Sequence, residues 1–151
     1  MTLFKLIHLL AVVIWIGGMF FAYMVLRPSA VEVLEVPQRL RLWDAVFGRF
    51  FRWVWGVVAV LLVSGFYLIY LAGGMSHVPY YVHIMLALGL VMAVIYSYVY
   101  FACYVPFSLH VASQRWPEAG QILDKIRILV ALNLTLGLLT VCVVVIGMGW
   151  K

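Results

Sequence analysis

His8 and His83 are the residues whose chemistry is hardest to reconcile with their surroundings. Each sits a few positions into a mostly apolar stretch long enough for a spanning helix. An imidazole there is costly and calls for a partner. Neutral imidazole is also the commonest biological metal ligand. Two of them facing each other across a bundle can hold a haem iron axially, or form part of a copper site. His8 lies about five residues into the first expected helix and His83 about four into the third, counted from the same end. With about 1.5 Å of rise per residue, their depths agree to within a few Å. The competing reading is that each ring bonds a carbonyl or hydroxyl of a neighbouring helix.

The residues at helical spacing from these histidines define the expected site. Ala11, Trp15, Gly18 and Ala22 follow His8. All but Trp15 are small, so a helix or a flat macrocycle could approach closely. Leu86, Ala87, Leu90 and Val94 follow His83 and are apolar. Lys5, three residues before His8, shares its face and would meet a haem propionate at the membrane boundary. Tyr67, Tyr70, Tyr80 and Tyr81 lie near the same end, as propionate donors or as an interfacial belt. The expected group is haem b, ligated by His8 and His83 and lined by Lys5, Ala11, Trp15, Gly18, Ala87 and Leu90. Copper is the alternative, with His77 and Met75 added from the adjoining loop, because thioethers suit Cu(I). Met85 points off the His83 face. His110 is at the opposite end and too far away to join. Cys103 and Cys142 differ in depth by about 20 Å, too far for a disulfide.

The elements that must position these residues follow from where the charges stop. The chain has 151 residues, of which 68% are hydrophobic and 10% charged. That excludes a soluble globular enzyme and an ordinary nucleic-acid binder, and the +5 net charge reads instead as a topology signal. Uncharged stretches of 21, 62 and 23 residues separate Lys5 from Arg27, Arg52 from Arg115 and Arg127 from Lys151. A spanning helix needs about 20 apolar residues. The middle stretch holds two spans, broken at Gly73, Gly74 and Pro79. The expectation is one transmembrane domain over 1–151, an all-α four-helix bundle with helices at about 3–26, 50–72, 79–104 and 126–149. The first is expected to be a retained span, because it exceeds a signal-peptide core and lacks a small-x-small cleavage site.

Eight Lys and Arg residues lie in the first and third connections, and none lies in 73–79. Positive-inside bias then places both termini and the short hairpin outside, in the periplasm of a bacterial inner membrane. Residues 29–48 and 107–124 mix apolar and charged side chains and are expected to form short amphipathic helices on the inner membrane surface. An internal repeat is visible: a His-led helix, a proline at its far end (Pro28, Pro106), an amphipathic connection and a second helix, in the same sense in both halves. Asn133 and Thr140 are expected to face the bundle, and Ser64-Gly65 to be a close-packing point. Gly17-Gly18 and the apolar surface permit a homodimer. There is no nucleophile–base pair, no carboxylate pair, no phosphate loop and no zinc spacing.

Three segments carry a family resemblance. FKLIHLLAVVIWIGGMFFAYMVLRP, YYVHIMLALGLVMAVIYSY and LDKIRILVALNLTLGLLTVCVVVIG resemble the bacterial copper-resistance protein D (CopD) family. They also resemble the HemJ-type protoporphyrinogen oxidases, four-helix membrane proteins with a His in helix 1 and another opening helix 3. The CopD side implies copper passage or resistance. The HemJ side implies haem b and tetrapyrrole oxidation. HemJ-type proteins carry a lysine two residues after the helix-3 His, where this chain has Met85. The leading expectation is a haem b protein in electron transfer or oxidation of a small or lipophilic donor, its redox partners unidentified. The alternatives are copper transport and a non-catalytic assembly module.

Overall fold

The computed structural model describes residues 2–149. Four helices are long and apolar enough to cross a membrane: α1 (Thr2–Val33), α2 (Val36–Leu71), α3 (Tyr80–Ala112) and α4 (Trp116–Gly149). The chain is a multi-pass membrane protein, all-helical among the described residues. Successive helices run antiparallel. Phe4 of α1 meets Tyr67 of α2 at a centroid distance of 4.3 Å, and Tyr81 of α3 lies against Gly147 of α4. One end of the bundle is therefore a hairpin end, holding residues 72–79 and the start of α1. The other is an arginine end. α1 packs most closely on α2, and α3 on α4.

The arginine-rich connections differ from the expectation of short helices lying on the membrane. They are continuations of the spans. A helix of 32 to 36 residues is about 48–54 Å long, against a hydrocarbon core of about 30 Å. Local and tertiary causes agree on this. At the start of α2, Glu35 and Gln38 form a capping box, and Pro37 occupies the first turn, where its missing N–H costs nothing. From there Leu40, Trp43, Phe47 and Phe51 recur at helical spacing and are all buried. Phe47 packs edge-on against Tyr104 and Phe107 of α3. The polar face of 36–49 covers a core that extends beyond the bilayer.

α1 and α3 share a second device. Each contains a π-helical turn, Phe21–Leu26 and Val99–Tyr104. In each, an N–H reaches back five residues, Arg27 to the Ala22 carbonyl and Val105 to that of Tyr100. A proline follows immediately, Pro28 or Pro106. In a regular helix a proline ring clashes with the carbonyl four residues back. The wider turn accommodates that carbonyl and the lost donor. α2 and α4 each carry a proline as their second residue, Pro37 and Pro117. The repeat read from the sequence thus has structural markers at matching places.

Packing is uneven along the axis. The arginine half holds an aromatic core of Trp43, Phe47, Phe51, Tyr96, Tyr104 and Phe107 with their neighbours. In the hairpin half of α3 no residue before Met92 is buried. The hairpin itself turns through Gly73 and Gly74, both at φ +95°, which an L side chain rarely adopts.

Candidate metal site

His8 sits half-buried in the cleft between α1 and α2. Its Nδ1 lies 2.8 Å from Ser64 Oγ. Ser64 donates its single hydroxyl proton to the carbonyl of Val60 at 2.6 Å, with Leu61 O at 3.2 Å. The oxygen must then accept from His8, so Nδ1 carries the imidazole proton. Nε2 keeps its lone pair, and that is the nitrogen a metal takes from neutral imidazole. Gly65 makes the approach possible: a Cβ there would lie 3.3 Å from His8 Cε1. The Ser64-Gly65 dipeptide is thus both packing point and anchor. Its partnership with His8 was legible only once α1 and α2 were paired antiparallel.

His83 has different surroundings. It lies on the exposed face of α3, with Nδ1 3.3 Å from the carbonyl of Pro79 in its own first turn. Ala87 and Leu90 are exposed on the same helix. Aligning the repeats on Pro28 and Pro106 pairs His8 with Leu86. His83 is three residues, about 4.5 Å of rise, closer to the helix start. His8 is thus held between α1 and α2, whereas His83 stands exposed on α3 at the same end of the bundle.

The slot expected for a macrocycle is filled by the protein. A Cβ on Gly18 would lie 2.6 Å from the Phe50 ring of α2. Ala11 and Trp15 are buried in the core, and the Trp15 indole meets Tyr96 edge-on at 6.0 Å. Lys5 is exposed at the hairpin end. These positions do not enclose a planar group between His8 and His83, so haem b is without support here.

His77 and Met75 lie exposed in the hairpin, where Ser76 Oγ is 3.1 Å from His77 Nδ1. Cys103 is buried and Cys142 exposed, both as free thiols. Among the described residues, no three of His, Cys, Asp and Glu converge as a metal cluster. In the middle of the bundle a thioether meets an amide, with a second methionine close by. Asn133 of α4 is 3% exposed, and its Nδ2 lies 3.8 Å from the Met19 sulfur of α1. Its Oδ1 is buried without a partner. Met92 of α3 brings its methyl against Gly137, one helical turn along α4 from Asn133. Two thioethers and an amide from three helices therefore line adjacent turns at mid-depth. Asn133 was expected to face the bundle; Met19 and Met92 were not distinguishable from packing methionines.

Residues 44–146 match the family model of copper resistance protein D. The chain belongs to the copper resistance protein D family. The matched stretch covers most of α2, all of α3 and α4 as far as Ile146; Ser64, Met92 and Asn133 lie inside it and His8 before it. No curated protein and no solved structure matches the chain. Membership makes this a copper-resistance-related membrane protein and agrees with the donor types in the bundle. Imidazole suits Cu(I) and Cu(II), and thioether selects Cu(I).

Proposed function

We propose that this protein binds copper within the bilayer and passes it between the two membrane faces as Cu(I). The observation that carries the reading is membership of the copper resistance protein D family. The donor arrangement supports it. At the hairpin end, His77 and Met75 offer exposed ligands for capture, and His83 offers an outward imidazole. His8 follows, its Nε2 left available by the Ser64 bond. Met19, Asn133 and Met92 then provide weak, neutral ligands at mid-depth. Such donors suit transit, because an ion must leave each position as readily as it enters. A bacterial inner membrane, with the hairpin on the periplasmic side, accords with the distribution of arginines.

The test is Cu(I) binding by purified protein, read by competition with a chromogenic Cu(I) chelator, alongside copper content of cells expressing each variant. His8→Ala and Met19→Leu are expected to weaken binding about tenfold or more, as loss of a ligand or its support does, and to reduce copper movement. His110→Ala, at the other end, is expected to change neither. Unaltered binding in both site variants would overturn the reading. So would a Soret-absorbing group that copurifies and is lost with His8→Ala.

A further inference from the structure

We propose that the cleft between the arginine ends of α1, α2 and α4 binds an anionic phospholipid of the adjoining leaflet. This goes beyond copper handling and does not rest on it. The cleft has a volume of about 230 Å³, the space of roughly eight waters. Arg27, Arg39 and Arg127, one from each helix, line it together with Leu40, Trp43 and Ile126, which are buried. A cationic rim over an apolar floor fits an amphiphile: phosphate at the guanidiniums, the start of an acyl chain below. Inorganic phosphate would satisfy the rim and leave the floor wet.

The charge balance favours an anion. Among the described residues the one ion pair is Arg127 with Asp124, at 3.0 Å and partly exposed. Arg27 stacks on the Tyr23 ring at 5.3 Å, a contact that uses the face of the guanidinium and leaves its edge donors available. Arg39 has no carboxylate partner among the described residues. Asp124 lines the cleft, and Glu32 lines the shallow groove that adjoins it through Tyr23, Arg27 and Val31. Three fixed cations thus face two carboxylates, one of them engaged. Arginine is the side chain whose planar fork matches phosphate oxygens two at a time.

Level along the bundle argues for lipid as the source. Arg27 closes the uncharged run of α1, and Arg127 opens that of α4. Both therefore stand where the hydrocarbon ends and phospholipid phosphates begin. Basic pockets between spans at that level are the usual seats for anionic headgroups.

The experiment reconstitutes the full chain in nanodiscs or detergent with phosphatidylglycerol or with phosphatidylcholine. Lipid retained through delipidating washes is measured by mass spectrometry of the intact complex, and thermal unfolding is followed in parallel. The wild-type chain is expected to retain phosphatidylglycerol selectively and to unfold at higher temperature with it. Arg27→Gln/Arg39→Gln is expected to lose about tenfold or more of that retention, because each charged hydrogen bond removed is worth about a factor of ten. Arg49→Gln/Arg115→Gln, with the same change of net charge outside the cleft, is expected to retain it. If the first pair folds poorly, Arg39→Gln alone supplies the comparison, since Arg39 lies in the first turns of α2 and outside the spans. Equal loss in both pairs, or no loss in the cleft variants, would overturn the proposal. Displacement of phosphatidylglycerol by millimolar inorganic phosphate would also overturn it, in favour of the free anion.

Discussion

Ser64 bonds carbonyls of its own helix and His8 of α1, and the second contact determines which nitrogen of His8 carries the proton. Ser64→Ala removes that constraint and nothing else of comparable size. Interhelical hydrogen bonds in membranes are worth about 0.6 kcal/mol on average. The variant is therefore expected to unfold within a few degrees of wild type. Its Cu(I) affinity is expected to fall about 10- to 100-fold, the usual cost of losing a ligand's orienting partner. Chelator competition and a thermal scan on the same sample separate the two effects. Asn133 offers the opposite combination. Its Oδ1 is buried without a partner and its Nδ2 has only a thioether. A buried acceptor with no donor is destabilising by about 1–3 kcal/mol. Asn133→Leu is expected to leave thermal stability unchanged or raised while weakening Cu(I) retention. A clear loss of stability would mean that Oδ1 has a donor in the membrane and that the amide serves packing. Neither partner was legible from residue types alone. Periodicity places a serine or an asparagine on a helix face, and only the pairing of helices says what it meets.

At the scale of elements, the charge gaps were sufficient to locate all four spans, because an ionised side chain in hydrocarbon is too costly to be scattered at random. They were insufficient to find where the helices end. Arg39, Arg41 and Arg49 made residues 36–49 read as a connection, although Glu35, Pro37 and Gln38 already formed a helix-start signature. The π turns were likewise unreadable as such; Pro28 and Pro106 marked their places without saying how the helix would absorb them. Their geometry carries a test. A π turn contains one more residue than the α turn it replaces, so residues beyond it have a register that depends on the extra one. Deleting Ala102 together with Pro106→Ala is expected to restore a regular helix, keep Phe107 against Phe47 and leave thermal unfolding nearly unchanged. Deleting Ala102 with Pro106 in place should cost about 3 kcal/mol, the penalty of proline inside an α-helix. If the double change is as damaging as the single one, the π turns serve a purpose other than relieving proline. The repeat also isolates His8. Registering the halves on Pro28 and Pro106, and on Pro37 and Pro117, pairs His8 with Leu86 and Ser64 with Val144. The imidazole–hydroxyl pair has no counterpart in the second half and is not a structural requirement of the repeat.

For the whole molecule, the axial asymmetries in charge and in packing point the same way. All eight Lys and Arg residues between positions 27 and 127, and all five carboxylates, lie towards the arginine end, whereas 73–79 carries none. The aromatic core lies in that same half, and in the hairpin half α3 has no buried residue before Met92. A protein that admits an ion from one side and holds its shape from the other would be built this way. Translocating a connection rich in arginine is unfavourable during insertion, so the arginine end is expected to face the cytoplasm. Single-cysteine labelling checks this with the bundle intact. His77→Cys in the exposed hairpin and Ser113→Cys in the exposed α3–α4 turn are each placed in a chain carrying Cys142→Ala; Cys103 is buried and stays. A membrane-impermeant maleimide added to spheroplasts is expected to label the first variant, and to label the second only after the membrane is opened. The reverse pattern would invert the direction of copper movement proposed above while leaving its ligands in place. Labelling of both from the same side would contradict the four-span arrangement, because the two positions lie at opposite ends of α3, about 50 Å apart along a helix of this length.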